Sequence, residues 1–429
     1  MPTSDPPPRD DIDGAAAQGF AQLVDVLQAP PAPPRRRRVR AASEAGADHA
    51  DESSDDALLR AERYSRSGRI AEALVIAEAL RARLQESGDA DHLGRLEFVF
   101  LLSHQNAGRS KDAVIAGYRA VDWQTRTDAP EPLLRTLALL AIAVARIGDA
   151  CGALELLERA RRLLPRFADD PRPPCIFWTN SGATHHALGN LELARDASAR
   201  AVELAATFDD PELRGVCTTN LLVQRLDLAV KASDGCETAQ VRELFAACRA
   251  HFDELVATGL HYPVAKGAED IADAFVAVGR VDEAREMLRI GIRSAEFAKA
   301  GPDRGVLELR LARIERLAGQ YRLASAHLAF ALDLLAQGEV LKELAEAHLE
   351  NSLLHESQQR WRAALDSFRR SAQIRERLLV AQSDARAQSL TMRLELERSR
   401  SEARALRMRN AALEESLRSL NAEGAAPGR

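Results

Sequence analysis

The chain is poor in the residues that build sheets and disulfide frameworks. Aromatic residues are only 4% of its 429 residues, and the β-branched, turn-rich texture typical of sheets is missing. The five cysteines show no CxxC spacing, and their odd number argues against a disulfide framework, so we expect most of them to be small buried side chains. Alanine, leucine, arginine and glutamate dominate, which predicts an all-α protein.

Long apolar runs and an excess of one charge are also lacking. No apolar run reaches the roughly 18 residues that a membrane-spanning helix needs, and the N-terminus has acids and prolines where a signal peptide would have a basic start and an apolar stretch. The net charge of −6 comes from 58 basic and 64 acidic residues, which gives no general attraction to nucleic acid or an anionic membrane. We predict a cytoplasmic protein that binds neither.

The common catalytic and cofactor-binding motifs are absent as well. The sequence has no GxxxxGK[ST], GxGxxG, HExxH or GxSxG. The adjacent His185 and His186 point to different sides of a helix, so they cannot chelate a metal together. We therefore predict no catalytic residue, no cofactor and no metal site, with a cryptic enzyme as the alternative.

Residues 1–54 differ in composition from the rest of the chain. Proline, aspartate and alanine are frequent there, and a proline-rich run precedes an arginine cluster at 35–40. Such a segment cannot bury enough apolar surface to offset the entropy cost of ordering, which predicts disorder. Apolar residues on one helical face predict a short helix over 15–28 that either docks on another surface or forms only on binding. The arginine cluster is interpreted as a solvated charge run, with an acidic partner or nucleic acid as alternatives.

A repeat with a period of about 40 residues begins near residue 55. A turn residue, nearly always glycine, is followed five residues later by alanine. The matching positions are Gly68/Ala73, Gly108/Ala113, Gly148/Ala153, Gly189/Ala194, Gly279/Ala284, Gly319/Ala324 and Gln359/Ala364. The one step of 90 residues fits two repeats and about ten extra residues, for which 231–236 is the expected inserted loop. The sequence thus predicts eight helix pairs.

The spacing has a physical cause in a helical hairpin. Glycine takes the tight turn, and alanine allows the closest approach of the two helices. The run from Asn180 to Ala194 resembles the tetratricopeptide repeat, and the resemblance covers 55–380. It implies a right-handed superhelical solenoid. The period exceeds the family's usual length of about 34 residues, and its tryptophan and tyrosine positions are mostly unfilled. A HEAT or armadillo array is the alternative, but it would not explain the step of five.

The same resemblance implies a groove for a peptide or protein partner. In this family the first helix of each pair lines the concave face, which we assign to residues nine, six and three before each turn residue. An asparagine there can bond a peptide backbone, and an arginine row can hold a carboxylate; alternatively, each asparagine only satisfies its own helix or a neighbouring turn. The predicted groove residues are Thr179, Asn180, His186, Thr219, Asn220, Asp270, Asp273, Arg310 and Arg313.

The last helix has no stop signal, because no proline or glycine occurs between Trp361 and Gly424. A heptad register over 381–422 predicts a parallel two-stranded coiled coil, with Asn410 at an a position and opposite charges at the g and e positions. The predicted dimerisation residues are Leu396, Leu406, Asn410, Leu413, Leu417 and Leu420. The alternative is a solvated single helix. Residues 423–429 are predicted to be a disordered tail.

Repeats followed by such a helix are similar to the sensory half of bacterial signalling proteins that carry a GGDEF cyclase or a histidine kinase. No GGDEF sequence or kinase phosphate site follows in this chain. The leading hypothesis is a non-enzymatic, homodimeric scaffold or adaptor. The alternatives are a peptide- or ligand-responsive regulator of a separately encoded cyclase or kinase, and an effector half that has lost its enzyme.

Overall fold

The computed structural model describes the backbone of residues 53–424, and the side chains of this range except those of 400, 403, 417 and 419–424. The helix predicted over 15–28, the arginine cluster at 35–40 and the tail from 425 onward lie outside the described residues. Every regular element in the described range is a helix. The all-α prediction is therefore confirmed for that part of the chain.

The described residues form sixteen α-helices in eight consecutive antiparallel pairs, as predicted. The pairs are: pair 1, α1 (Ser54–Arg66) and α2 (Ile70–Ser87); pair 2, α3 (Ala90–Asn106) and α4 (Ser110–Arg126); pair 3, α5 (Pro130–Arg146) and α6 (Ala150–Arg161); pair 4, α7 (Arg172–Ala187) and α8 (Leu191–Ala205); pair 5, α9 (Pro211–Ala232) and α10 (Ala239–Ala257); pair 6, α11 (His261–Ala277) and α12 (Val281–Phe297); pair 7, α13 (Gly301–Leu317) and α14 (Tyr321–Gly338); pair 8, α15 (Leu341–Ser357) and the start of α16 (Trp361–Gly424). A short 3-10 helix (Leu164–Phe167) joins pairs 3 and 4.

The turn residues adopt the conformation that the repeat pattern predicts. The six anchor glycines have φ between +70° and +85°, and Gln359 at the last turn has φ +58°. Most L residues avoid this left-handed region, which explains the preference for glycine. The alanines five residues later are at most 8% exposed, so their size is limited by the partner helix. The chain has several apolar clusters along the array instead of one central core, as stacked repeats do.

The insertion in pair 5 differs from the prediction. Helix α9 has 22 residues and α10 has 19, whereas the first helices of the neighbouring pairs have 16 and 17. Lys231 and Ala232 belong to the end of α9, so the expected loop over 231–236 is wrong at its start. The extra residues mainly lengthen helices, and only Asp234 and Gly235, with φ of +50° and +74°, make the sharp turn.

The turns of the first pairs contact pairs much later in the array. A β-carbon built on Gly68 would lie 2.7 Å from Cβ of Ala300, which precedes pair 7. One built on Gly108 would lie 3.2 Å from Val340, which precedes pair 8. Arg109 next to that turn forms an ion pair of 2.8 Å with Glu339. The superhelix therefore closes on itself, with the turn of pair 1 against pairs 6 and 7, where it meets Tyr262 and Ala300, and the turn of pair 2 against the start of pair 8.

The long helix α16 continues past pair 8 and packs on the N-terminal repeats. Ala385 and Ser389 are each 1% exposed, and the Ser389 hydroxyl lies 3.2 Å from the Tyr118 hydroxyl of α4. Arg393 pairs with Glu155 of α6 at 3.1 Å, and Arg386 donates to the carbonyl of Ile147. The partner of this part of α16 is therefore its own chain.

We expect the closure to be visible in the cost of turn substitutions. A β-carbon on Gly319 meets nothing within 4 Å, so Gly319→Ala adds only left-handed strain and should lower the free energy of unfolding by about 1 kcal/mol. Gly68→Ala adds overlap with Ala300 and Tyr262 and should cost about 2–3 kcal/mol. Urea denaturation followed by circular dichroism measures both. Equal losses would contradict the packing of pair 1 against pair 7.

Candidate functional site

A cavity of about 380 Å³ lies inside the superhelix. The first helices of pairs 1 to 6 line it, together with the residues just before α9. Its apolar lining includes Phe98, Leu102, Leu139, Ile176, Leu213 and Val216, and its polar lining includes Arg66, Asn106, Arg135, Arg172, Asn180 and Tyr262. This combination of apolar surface with a few convergent polar groups is typical of a ligand site.

The lining residues follow a regular spacing along the first helices. In pairs 3 and 4, the residues 17, 13 and 9 before the turn glycine form one row, for example Glu131, Arg135 and Leu139 on α5. Residues four apart share a helix face, which produces the row. The sequence rule included the position nine before the turn but not the other two. A search for polar residues at steps of four could have found Arg135 and Arg172.

Two of the cavity arginines are held by one half-buried carboxylate. Arg66 lies 2.6 Å from the Glu62 carboxylate, and Arg135 bonds the same oxygen. Burial alone would raise the pKa of Glu62, but the two guanidinium groups beside it bring that pKa below its ordinary value. Arg172 has a looser partner, since its nearest carboxylate, Asp210, is 3.9 Å away. Of these three arginines, Arg172 is the one best able to bind an added anion.

The predicted acidic residues Asp270 and Asp273 lie close together on α11, outside the lining of the cavity; we call the space along the inner helices, including the cavity, the channel. Both side chains are exposed, but the protein around them displaces part of their hydration. This desolvation, reinforced by the charges of Glu269 and Asp227, raises the pKa of Asp270 to about 7, and desolvation also raises the pKa of Asp273. Mutual repulsion between these carboxylates disfavours their charged forms. A cation placed among them would relieve that repulsion.

Arg310 is not free to hold a partner's carboxylate. Its guanidinium lies 2.6 Å from Glu269, 3.6 Å from Asp273 and 3.6 Å from Glu346. The proposed arginine row therefore has its first member engaged within the chain, and only Arg313 is exposed there. The sequence rule placed Arg310 in the channel but missed the three carboxylates that surround it.

The two threonines of the repeated Thr-Asn dipeptide serve helix packing. The Thr179 hydroxyl donates to the carbonyl of Cys175 at 2.8 Å. The Thr219 hydroxyl donates to the carbonyl of Gly215 at 2.9 Å. Both side chains are buried, so they are poor candidates for partner contacts, although Thr179 reaches the edge of the cavity.

The remaining predicted groove residues are partly accessible. Asn180 is half-buried and lines the cavity, and Asn220 is half-buried at the corresponding place on α9. His186 lies 2.7 Å from Asp227 of α9, and this hydrogen bond raises the pKa of the imidazole. His186 therefore ties pair 4 to pair 5 and adds a partner to one of the channel carboxylates.

Comparisons with known proteins give only distant similarity. No protein-family model and no curated protein matches the sequence. Among solved structures, a Rap protein in complex with competence and sporulation factor is 12% identical, with a TM-score of 0.49, over 76% of this chain and 99% of that one. NprR in complex with its cognate peptide NprX is 13% identical, with a TM-score of 0.40, over 70% and 84%. A human IFIT1 dimer with m7Gppp-AAAA is 12% identical, with a TM-score of 0.41, over 73% and 80%. These similarities are too distant to assign a family or a partner.

The described part of the chain contains neither a cluster of metal-binding side chains nor a membrane-spanning helix. No group of three or more histidine, cysteine, aspartate or glutamate residues is placed to hold a metal ion within 53–424. In the same range no helix is long and apolar enough to cross a membrane.

The raised pKa of Asp270 predicts that replacing this residue increases the free energy of unfolding, by an amount that depends on pH. The folded state holds this proton up to about pH 7, whereas an unfolded aspartate releases it near pH 4. The charged carboxylate therefore destabilises the fold increasingly as pH rises from about 4 to 7, and fully above that. Asp270→Asn should raise the free energy of unfolding at pH 8 by about 1 kcal/mol, less than the full shift would give because solvent in the channel screens the charge.

Denaturation at pH 8 and pH 5 measures this effect. The gain should shrink at pH 5, because Asp270 is already protonated in the folded state there. Asp366→Asn, on the exposed surface of α16, is the matched control and should show no such dependence. A gain of equal size at both pH values would contradict the assignment.

Proposed function

We propose that this chain is a non-enzymatic binding protein that holds an extended peptide, or an extended segment of a protein, inside its superhelical channel. The observation that carries the proposal is the row of lining residues 17, 13 and 9 before the turn, which is repeated on the adjacent first helices of pairs 3 and 4 in the wall of one cavity. Side chains repeated at a constant step across parallel helices can contact successive residues of an extended ligand.

The channel has the groups that a peptide backbone needs. Asn106 and Asn180 lie on its wall. An amide side chain both donates and accepts hydrogen bonds, as a peptide unit does, and Asn106 already uses one of its donors on the carbonyl of Ser65. Apolar side chains such as Leu139 and Ile176 lie beside them and would take apolar residues of the ligand. Arg172 could form an ion pair with an acidic group of the ligand, which supports such a group in the part of the ligand that lies beside pair 4.

The carboxylates further along the channel support a basic ligand residue there. Asp270 and Asp273 lie nine and six residues before the turn of pair 6, and the pKa of each is raised. A lysine or arginine of the ligand would stabilise their charged forms. The proposed ligand is thus an extended peptide with a basic residue on the side of pairs 6 to 8.

Removing the two asparagines of the repeated dipeptide tests the peptide site. Peptides selected from a displayed library against the full-length protein should be enriched in basic residues. Asn180→Ala with Asn220→Ala should weaken their affinity at least about tenfold, since each lost amide costs about 1 kcal/mol or more. Fluorescence anisotropy measures the dissociation constant.

The control for this experiment is Asn190→Ala, an exposed asparagine at the turn of pair 4. It should leave the dissociation constant unchanged. Unchanged affinity in the double variant would show that the channel residues do not form the peptide site.

We also propose that the distal part of α16 forms the parallel coiled-coil dimer. Leu406 and Leu413 are 59% and 54% exposed, and Asn410 between them is exposed. Leu396 is 8% exposed and packs with the core of the N-terminal repeats, so it is already used within the chain. The intermolecular seam is therefore limited to the residues after Leu396. The side chains of Leu417 and Leu420 lie outside the described residues and remain part of this proposal.

Light scattering of the full-length protein at micromolar concentration tests the dimer. Leu406→Glu with Leu413→Glu should convert a dimer mass into a monomer mass, because it places charges in the apolar seam. Met408→Glu is the control, since Met408 is exposed and two residues from Leu406, on the opposite side of the helix. A monomeric wild-type chain would refute the dimer.

A second candidate function follows from the same helix. Residues 385–396 of α16 contact the repeats, and the helix then extends past them. A conformational change in the repeats could therefore be transmitted to the distal end of α16. This arrangement supports a cytoplasmic regulator of a separately encoded cyclase or kinase, as the resemblance to GGDEF-type signalling proteins implies. An adjacent gene for such an enzyme would favour this function over a passive adaptor.

A further inference from the structure

Two free thiols face each other in the interface between pairs 4 and 5. Cys175 on α7 and Cys217 on α9 have their sulfur atoms 3.8 Å apart. Both side chains are completely buried, and both cysteines are free in this structure. The cysteines are 42 residues apart in the sequence, so the contact exists only because consecutive repeats stack.

The geometry favours a bond between these sulfurs. A disulfide needs a sulfur separation of about 2.05 Å, so the atoms must approach by roughly 1.8 Å. Rotation about the side-chain bonds of two facing cysteines supplies most of such a movement. The competing interactions are weak, since Cys175 donates to the carbonyl of Ala201 at 3.4 Å and Cys217 lies 3.1 Å from the Thr179 hydroxyl. Hydrogen bonds of thiols are weaker than those of hydroxyls.

The thiol pair lies directly behind the wall of the cavity. Ile176 follows Cys175 in the sequence, Val216 precedes Cys217, and both Ile176 and Val216 line the cavity. A bond between α7 and α9 would therefore fix the relative position of two helices that form this wall.

We propose that Cys175 and Cys217 form a reversible intramolecular disulfide by exchange with a low-molecular-weight disulfide. One cysteine thiolate attacks the small disulfide, forms a mixed disulfide and releases one small thiolate. The second cysteine thiolate then attacks the protein sulfur of that mixed disulfide and releases the other small thiolate. The protons of the two cysteines end on the two released thiols. The protein pair is oxidised by two electrons, and the small disulfide is reduced by two.

The exchange requires the two pairs to open locally, because neither thiol has exposed surface. Repeat arrays open in this way, since each repeat contacts mainly its neighbours. The reaction should therefore be slower than at the exposed Cys151 and Cys236. Once formed, the bond joins pairs 4 and 5 covalently and restricts the unfolded chain. This inference does not depend on the proposed peptide ligand.

The five cysteines give a built-in set of controls. The full-length protein is incubated with oxidised glutathione, remaining thiols are alkylated, and the peptides are mapped by mass spectrometry. Cys151 and Cys236 should carry glutathione, and Cys175 and Cys217 should be joined to each other with the loss of 2 hydrogen atoms. The buried Cys248 should be recovered in the alkylated form. Dithiothreitol should reverse the pattern.

A thermal scan provides a second readout. The oxidised protein should unfold at a temperature several degrees higher than the reduced protein, because the bond closes a long loop. Cys217→Ser should abolish both the joined peptide and the shift, while Cys248→Ser should retain them. Cys175→Ala serves as the second variant if Cys217→Ser does not fold.

Two outcomes would overturn the proposal. One is that Cys175 and Cys217 are still recovered in the alkylated form when Cys151 and Cys236 have fully reacted with glutathione and the incubation has lasted several days. The other is that either cysteine carries only glutathione, or pairs with Cys248, in place of the joined peptide.

Discussion

The close approach of two helices at each turn is the constraint on which the structure depends. The turn residue must adopt a left-handed conformation, and the alanine five residues later must fit against the partner helix. Of the anchors, only Gln359 does so without glycine, with φ +58°. Because the seven anchored hairpins share this turn geometry, and only pair 5 departs from it, consecutive pairs can stack in a regular way. The small rotations accumulate until Gly68 lies against Ala300, and this closure encloses the channel.

The charged side chains in the channel differ in how many partners they already have within the chain. Arg66 and Arg135 share Glu62, whereas Arg310 contacts three carboxylates. Most arginines of the channel are therefore used to hold the first helices together. The groups left for a ligand are Arg172, the amide of Asn180 and the Asp270 carboxylate of α11. This distribution is the physical basis for proposing an extended peptide with a basic residue, and it differs from the arginine-bound carboxylate that the sequence suggested.

Helix α16 has two successive environments along one face. Ala385, Ser389 and Leu396 pack on the N-terminal repeats, and Leu406 and Leu413 continue the same heptad positions on the exposed part. The apolar stripe was correctly recognised in the sequence, but a stripe does not identify its partner. Intrachain packing uses the first part, and the dimer is proposed only for the remainder. A change in the pitch of the superhelix would alter the contact at 385–396, which links the two proposed functions of the chain.

The sequence by itself determined the helix pairs, because their signals are local. A glycine turn and an alanine five residues later act within one hairpin, so eight pairs and the small buried alanines followed from spacing alone. The position nine residues before a turn also pointed to Asn180, which lines the cavity; Asp270 and Arg310 stand at the same position and stay predictions. Four features could not be predicted from the sequence. They are the lining residues 13 and 17 before the turn, the carboxylates around Arg310, the surface on which α16 packs, and the contact of Cys175 with Cys217. Only the tertiary structure decided these, because they depend on the rotation between repeats, which no local pattern encodes.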